Sequence, residues 1–410
     1  MKTREFDLIL WGASGFTGRL VAEHLARRCR EGLDLRWAVG GRNAGKLAEM
    51  LAQIGAQRTP IVLGDSHDTR ALAALARRTR AVCSTVGPYA LYGSELVAAC
   101  ADQGTHYCDL SGEVHWMRQM IDAQQARAAE TGARIVHACG FDSVPSDLGC
   151  YFLQQQAIAR YGRPCSSVKL FVRRMQGAFS GGTVASILNA LETAQSDPAQ
   201  RKVMGHPYAL NPPGERKGPD GRDQSTPLKD SDAECWTAPF VMASVNTRIV
   251  RRSHALLGWP WGHRFRYSEA VSTGTGLAGL ARAAAITAAL GGFLAAGSLR
   301  PARKAMNRLF LPQPGEGPDA AAREAGGFDL RLIGRHPAAP GRRLVARVTG
   351  RRDPGYGATA RMLGEAAICL AQDSTALPVA GGCWTPATAF GELLIERLQE
   401  HADIGFVLED

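Results

Sequence analysis

An apolar run, Phe6-Asp-Leu-Ile-Leu-Trp11, feeds directly into Gly12-Ala-Ser-Gly15-Phe-Thr-Gly18 and from there into a helical stretch over residues 19–28. A strand, a glycine turn and a helix in that order restrict the chain to folds that bring bare backbone against an anion. Side chains at Gly12 and Gly15 would hold a diphosphate away, and the free N–H groups of the helix start point at it. Gly18 lets the helix lie close to the strand. The GxxGxxG spacing is one residue longer in its first gap than the commonest dinucleotide fingerprint. The placement between strand and helix therefore carries the argument, and it predicts a dinucleotide site at Gly12, Ser14, Gly15, Phe16, Thr17 and Gly18.

A second strand over residues 35–40 ends in Gly41-Arg42-Asn43, and residues 35–43 contain no acid. A carboxylate at this strand tip holds the ribose hydroxyls of NAD and repels a 2′-phosphate. Arg42 offers a planar donor suited to phosphate, with Asn43 beside it and Lys46 one turn on, so the expected cofactor is NADPH. The alternative places Arg42 at a solvated sheet edge. Asp65 and Asp68 follow a third strand at 61–63 and either lie near the adenine or cap the next helix.

Short apolar runs continue to alternate with helical stretches through 81–86, 106–110 and 134–138, the signature of an α/β doubly wound parallel sheet, a Rossmann domain over residues 1–142. At 410 residues the chain exceeds one ordinary core. The pattern changes after Phe141, and residues 143–380 are expected to form a second, α+β domain facing the substrate or lipid. Its expected elements are a helix at 145–161, a strand at 167–175, a helix from Gly181 to about 194, and strands at 243–251 and 264–271. A strand pair at 328–333 and 344–349 and a helix at 358–371 follow. Residues 205–231, rich in Pro, Gly, Asp and Lys, read as a long surface loop and a candidate lid. A last helix at 386–400, within a 381–410 segment, is expected to return to the first domain.

Within an apolar helix at 277–299, residues 283–299 carry no charge and are mostly Ala and Gly, flanked by Arg282 and by Arg300, Arg303 and Lys304. A bilayer span wants about 20 strongly apolar residues. A buried or interface helix fits first, lipid-surface contact second and a span last.

The net charge of +10 favours anionic partners without selecting one. No zinc-knuckle spacing, basic heptad region or interleaved aromatic motif accompanies it, so nucleic acid is not an expected partner. Ten dispersed cysteines without a CxxC pair, and a strand where a secretory signal would need a long apolar core, point to a reducing cytoplasm. His106, His115 and His137 show no ligand spacing, and no metal is expected.

The stretches Phe6 through Gly18, Ser84-Thr-Val-Gly-Pro-Tyr89 with Tyr92-Gly93, Tyr107-Cys-Asp-Leu-Ser-Gly-Glu113 and Ala138-Cys-Gly-Phe-Asp-Ser-Val-Pro-Ser-Asp147 continue into Asn246-Thr-Arg-Ile-Val-Arg-Arg-Ser253, Arg264-Phe-Arg-Tyr-Ser-Glu269 and Thr385-Pro-Ala387. Together they resemble the saccharopine dehydrogenase-like oxidoreductases, and within them the bacterial trans-acting enoyl reductases. Trp11 departs from the Tyr or Gly more familiar before the first glycine. The resemblance implies NADPH-dependent reduction of a carbon–carbon double bond in a polyketide or fatty-acyl thioester, on behalf of a synthase lacking its own reductase.

In such a fold Thr85, Val86, Gly87 and Pro88 run beside the nicotinamide. Enoyl reduction needs hydride at the β-carbon, relief of charge on the carbonyl oxygen and a proton at the α-carbon. Tyr89 is the first candidate donor and Tyr92 the second; the alternative is that Tyr89 packs in the loop and water supplies the proton. Asp109, Ser111, Glu113, Asp142 and Ser143 stand between orienting substrate and capping helices. Expected partners are an acyl thioester or other lipid-like substrate, free or carrier-bound, and a second copy of the chain, with peripheral membrane contact. Two other functions stay open. One is an amino-acid dehydrogenase acting on a C–N bond, with carboxylates held by Arg173, Arg174, Arg248, Arg251 and Arg252. The other is a non-catalytic lipid-surface protein that retains NADPH.

Overall fold

All six residues of β1 (Phe6–Trp11) are buried because helices cover both faces of the sheet it centres. The computed structural model describes residues 4–177, 181–303, 317–339 and 341–409. Around β1 lie β2 (Trp37–Gly41), β3 (Ile61–Leu63), β4 (Thr79–Ser84), β5 (His106–Asp109), β6 (Arg134–Val136) and the late strand β13 (Gly382–Trp384). They form a parallel sheet in the order β13-β6-β5-β4-β1-β2-β3. The order reverses between β1 and β4, which puts the glycine turn at the crevice where such sheets bind ligands.

The second sheet contains β7 (Ser167–Gln176), β8 (Leu228–Asp230), β9 (Cys235–Ala238), β10 (Arg266–Gly274), β11 (Gly327–Arg335), β12 (Arg343–Gly350) and β14 (Ile404–Glu409). Its order is β14-β12-β11-β7-β10-β9-β8, with β7 and β10 parallel and the other pairs antiparallel. Val168, Leu170 and Val172 of β7 and Tyr267 of β10 face the main core, where the helix Val144–Tyr161 crosses. The opposite face carries charge pairs such as Arg347 with Asp329 and Arg335 with Asp232.

Four expectations change. Residues 243–251 are not a strand but part of the helix Ala243–Leu256. Val245, Thr247, Ile249 and Val250 supply a β-branched run, yet burial of nearly every side chain from Ala243 to Ala255 against Val144–Tyr161 and β10 overrides that local preference. The helix Thr359–Gln372 packs on β1, β4 and β5 of the first sheet, although residues 143–380 were assigned to the second domain. The 381–410 segment does not return to one domain: β13 joins the first sheet, helices Pro386–Phe390 and Glu392–His401 follow, and β14 joins the second. The chain thus crosses between sheets repeatedly and welds them. The apolar helix spans Gly276–Ser298 and is not buried: only Gly279, Ala283 and Gly297 are, and Leu277 is 85% exposed. Among the described residues it is the one helix long and apolar enough to cross a membrane. Lys304, on its basic flank, lies outside the described residues.

Candidate functional site

The turn after β1 leaves donors free. Gly12 holds φ at +86°, a backbone conformation that side chains resist, and a Cβ there would sit 2.5 Å from Val86 Cγ2. Gly15 precedes the helix Phe16–Arg30 without a side-chain cap, and the first helical hydrogen bond is Arg19 N–H to Gly15 O at 2.8 Å. The N–H groups of Phe16, Thr17 and Gly18 are therefore available to an anion, with no acid in the first turn to oppose it. Ser14 and Gly15 are exposed beside them. Across the switch point, Thr85 Oγ1 donates to the carbonyls of Trp11 (3.1 Å) or Gly12 (3.2 Å), which pins the Thr85–Val86–Gly87–Pro88 exit against the turn.

At the β2 tip Arg42 is exposed, its guanidinium 3.8 Å from Asp65. Asn43 accepts the Lys46 N–H and caps the helix Ala44–Gln53, so its carbonyl is committed while its amide stays free to donate. Lys46 is exposed on the same ledge. Asp65 accepts the His67 N–H, and Asp68 caps Thr69–Arg78. The turn, the β4 exit and this basic ledge share one end of the sheet, as a dinucleotide carrying a 2′-phosphate requires. Removing Arg42 is expected to lower the preference for NADPH over NADH by roughly 10- to 100-fold, the worth of a charged hydrogen bond. Paired titrations of Arg42→Ala with both cofactors check this, and an unchanged ratio refutes it.

Tyr89 does not face the crevice. It is 4% exposed, its hydroxyl donates to Ser84 O at 3.0 Å, and its ring stacks on Trp116. Burial pushes the phenol well above its ordinary pKa. These contacts favour the packing role over proton donation. Tyr89→Phe is expected to keep its turnover and lose about 1 kcal/mol of stability, one neutral hydrogen bond. A hundredfold loss of turnover would restore it as the acid. Tyr92 is exposed and lies 5.6 Å from the His67 ring, beside the β3 exit.

Glu113 shapes the β4 exit instead. Its carboxylate accepts the N–H groups of Tyr89 (2.7 Å) and Ala90 (3.0 Å) and the hydroxyl of Ser186 (2.9 Å). Burial raises its pKa, partly offset by those donors. Ser186 lies on the helix Gly181–Ser196, so this contact ties the second domain to the cofactor loop. Asp109 is fully buried, bonded to His137 Nδ1 at 2.7 Å and to the Ser111 and Ala138 N–H groups, an internal brace.

Beyond Gly181–Ser196 lies a groove of about 420 Å³, walled by Val172, Val184, Ile187, Phe240, Val271, Leu290 and Phe293. Its outer wall is the helix Gly276–Ser298. Beside the groove, Glu269 on β10 accepts from Asn246 Nδ2 (2.9 Å) and the Tyr267 hydroxyl (2.8 Å). Asp142, after β6, has no hydrogen-bond partner among the described residues. Burial, and secondarily the charge of Glu269, push Asp142 up to about 7; burial likewise pushes Glu269 up to about 7. Glu269, 122 residues past Asp147, appears in the sequence only within a motif, and nothing there pairs it with Asp142. Ser186 and the aromatic cover of the turn, Tyr356 edge-on to Phe16 at 4.7 Å with Arg323 over the same ring, also escape sequence reasoning because they come from distant segments.

A parallel sheet with an open glycine turn and a basic ledge at the same end fits an NADP-dependent oxidoreductase. Residues 8–136 match the saccharopine dehydrogenase NADP binding domain family. Proteins named trans-acting enoyl reductase from Mycobacterium bovis and Mycobacterium ulcerans are 40% and 38% identical, over 96% and 97% of this chain and 96% of each relative. A Mycobacterium tuberculosis protein given the same name provisionally is 43% identical over 96% of both chains. Saccharopine dehydrogenase (L-Glu forming) from Saccharomyces cerevisiae shares the fold, with a TM-score of 0.50, 11% identity, and coverage of 98% of this chain and 99% of that one. The chain belongs to the saccharopine dehydrogenase-like oxidoreductases, in the group that holds the trans-acting enoyl reductases.

The crevice fits NADPH on its own geometry. The residues that would hold the diphosphate are Gly12 through Gly18, with Arg42, Asn43 and Lys46 at the 2′-phosphate and Thr85 through Pro88 along the nicotinamide. When bound, the cofactor supplies hydride.

Proposed function

We propose that the protein reduces the carbon–carbon double bond of an enoyl thioester, with a polyketide or fatty-acyl chain lying in the apolar groove. The groove carries this reading: its walls are aliphatic and aromatic apart from Arg173 and Arg174, and Ser186 ties one of them, through Glu113, to the loop after β4. An acyl chain gains roughly 0.8 kcal/mol per methylene buried there, which favours long chains over short. The names of the relatives support the same reaction and its delivery in trans to a synthase.

The amino-acid alternative needs several free cations converging on carboxylates. Arg248 pairs with Asp223, Arg251 with Asp220 at 2.8 Å, and Arg252 donates to the carbonyls of Leu210 and Cys383. Arg173 lies 3.7 Å from Glu409, and Arg174 bonds Gln176. Arg248, Arg251 and Arg252 are thus spent on the chain itself, which leaves Arg173 and Arg174 in the groove wall as the remaining cations. NADPH oxidation against enoyl thioesters of graded chain length, with saccharopine-type substrates alongside, tests the reading. Turnover rising with chain length supports it, and turnover of the amino-acid substrates alone overturns it.

A further inference from the structure

We propose that Asp142 is the proton donor to the substrate α-carbon, and that Glu269, in the same buried cluster, keeps the proton on it through its charge. This rests on the enoyl-reductase reading and deepens it. Asp142 stands past the carboxyl end of β6, at the same sheet end as the glycine turn and the Thr85–Pro88 exit. Phe141 beside it bonds Thr359 Oγ1 through its N–H at 3.0 Å and meets Phe328 edge-on at 5.0 Å, which fixes the loop in the seam between the two sheets. Glu269 sits two residues from Val271 on the same face of β10, and Val271 lines the groove.

The donors around Glu269 are positioned to hold a carboxyl rather than to neutralise it. Tyr267 and Asn246 each give one hydrogen bond, Ser146 from the helix Val144–Tyr161 gives another, and none carries positive charge. The titratable groups facing it are Tyr267, Cys150, Asp142 and Asp223, and Arg248 already pairs with Asp223. Two buried polar atoms of the same cluster, Ser143 Oγ and Asn246 Oδ1, have no partner among the described residues. Two carboxyls in one cluster with no cation between them cannot both ionise cheaply. A second, polar cavity of about 340 Å³, with Asp220, Arg222, Arg266 and Tyr267 in its wall, reaches Glu269 from the solvent side. Asp142 itself is partly exposed, so water can return its proton.

The step balances. Hydride, which NADPH would give up with breakage of its own C–H bond and oxidation to NADP+, forms the new C–H bond at the β-carbon, and the π electron pair moves onto the carbonyl oxygen as an enolate. The enolate pair then forms the C–H bond at the α-carbon as the O–H bond of Asp142 breaks, leaving its carboxylate. Proton uptake from water restores the acid.

Both carboxyls hold a proton near neutrality in the folded chain and release it in the unfolded one, so the stability they contribute is full below the ordinary Asp range and is lost as pH rises through about 7. Asp142→Asn, which removes that loss, is expected to unfold at higher temperature than the unmodified protein at pH 8 and to bind NADPH equally well. Its enoyl thioester turnover is expected to fall by roughly 100-fold or more, the ordinary worth of a positioned acid. Glu269→Gln removes the charge that holds the Asp142 proton, so the alkaline limb of the turnover profile is expected to move to lower pH. Turnover by Asp142→Asn at the unmodified rate, or an unshifted limb in Glu269→Gln, overturns the proposal and leaves the enoyl-reductase reading standing. Absence of enoyl thioester turnover by the unmodified protein overturns both.

Discussion

Gly18→Ala is expected to weaken NADPH binding by roughly 100-fold, because forcing a methyl into a packed site costs up to about 3 kcal/mol and each 1.4 kcal/mol is tenfold in affinity. A Cβ on Gly18 would overlap the carbonyl oxygen of Gly12 and stand 2.8 Å from Ala13 Cα. Both obstacles are backbone, so no side chain can swing aside. The helix Phe16–Arg30 must lift from β1, and the N–H groups of Phe16, Thr17 and Gly18 then retreat from the diphosphate together. The Phe16 ring would move with them, breaking its edge-on contact with Tyr356 and uncovering the turn. Fluorescence titration of NADPH measures the loss, with a thermal melt to separate it from unfolding. Binding at the unmodified affinity would show that the turn does not hold the diphosphate.

The glycine turn was legible because every part of it is local: a strand, three glycines and a helix within Phe6–Arg30. The alternation that yields the first sheet is equally local, and so is the basic tip at Arg42. Tyr89 shows where such reading stops. Its position after β4 is visible in the sequence, but its direction is set by Trp116 and the Ser84 carbonyl, and those turn the hydroxyl into the protein. Residues 243–251 look like a strand by composition and become a helix because two partners bury them. The groove joins β7, Gly181–Ser196, β10 and Gly276–Ser298, four segments whose meeting depends on the order of the second sheet. The Asp142 and Glu269 pair depends on the same long-range order. No spacing rule spans it.

Glu365→Ala is expected to destabilise the protein by about 3–5 kcal/mol, the usual cost of breaking a buried ion pair from one side. Glu365 is wholly buried on the helix Thr359–Gln372, where the second half of the chain lies on the first sheet. One carboxylate oxygen meets His24 Nε2 at 2.8 Å and Arg28 Nε at 2.9 Å; the other meets Arg397 at 3.3 Å. Burial raises the carboxyl, but the His24 hydrogen bond and the charges of Arg28 and Arg397 outweigh it and hold the group below its ordinary pKa. Its stabilisation is therefore full above the ordinary Glu range and is lost as pH falls through the lowered value. Burial keeps His24 below its own ordinary pKa, so Arg28 is the cation that alanine would leave with only a long contact to Glu31 at 3.7 Å, while Arg397 retains Asp373 at 2.8 Å. Denaturant unfolding at pH 7 reads the loss, and the variant should lack the acid-sensitive part of the unmodified profile below the Glu range. His24 and Arg28 lie on the helix whose start faces the diphosphate, so the variant should also bind NADPH more weakly. Stability within about 1 kcal/mol of the unmodified protein, the scale of an exposed pair, would mean that the carboxylate gains nothing from its burial.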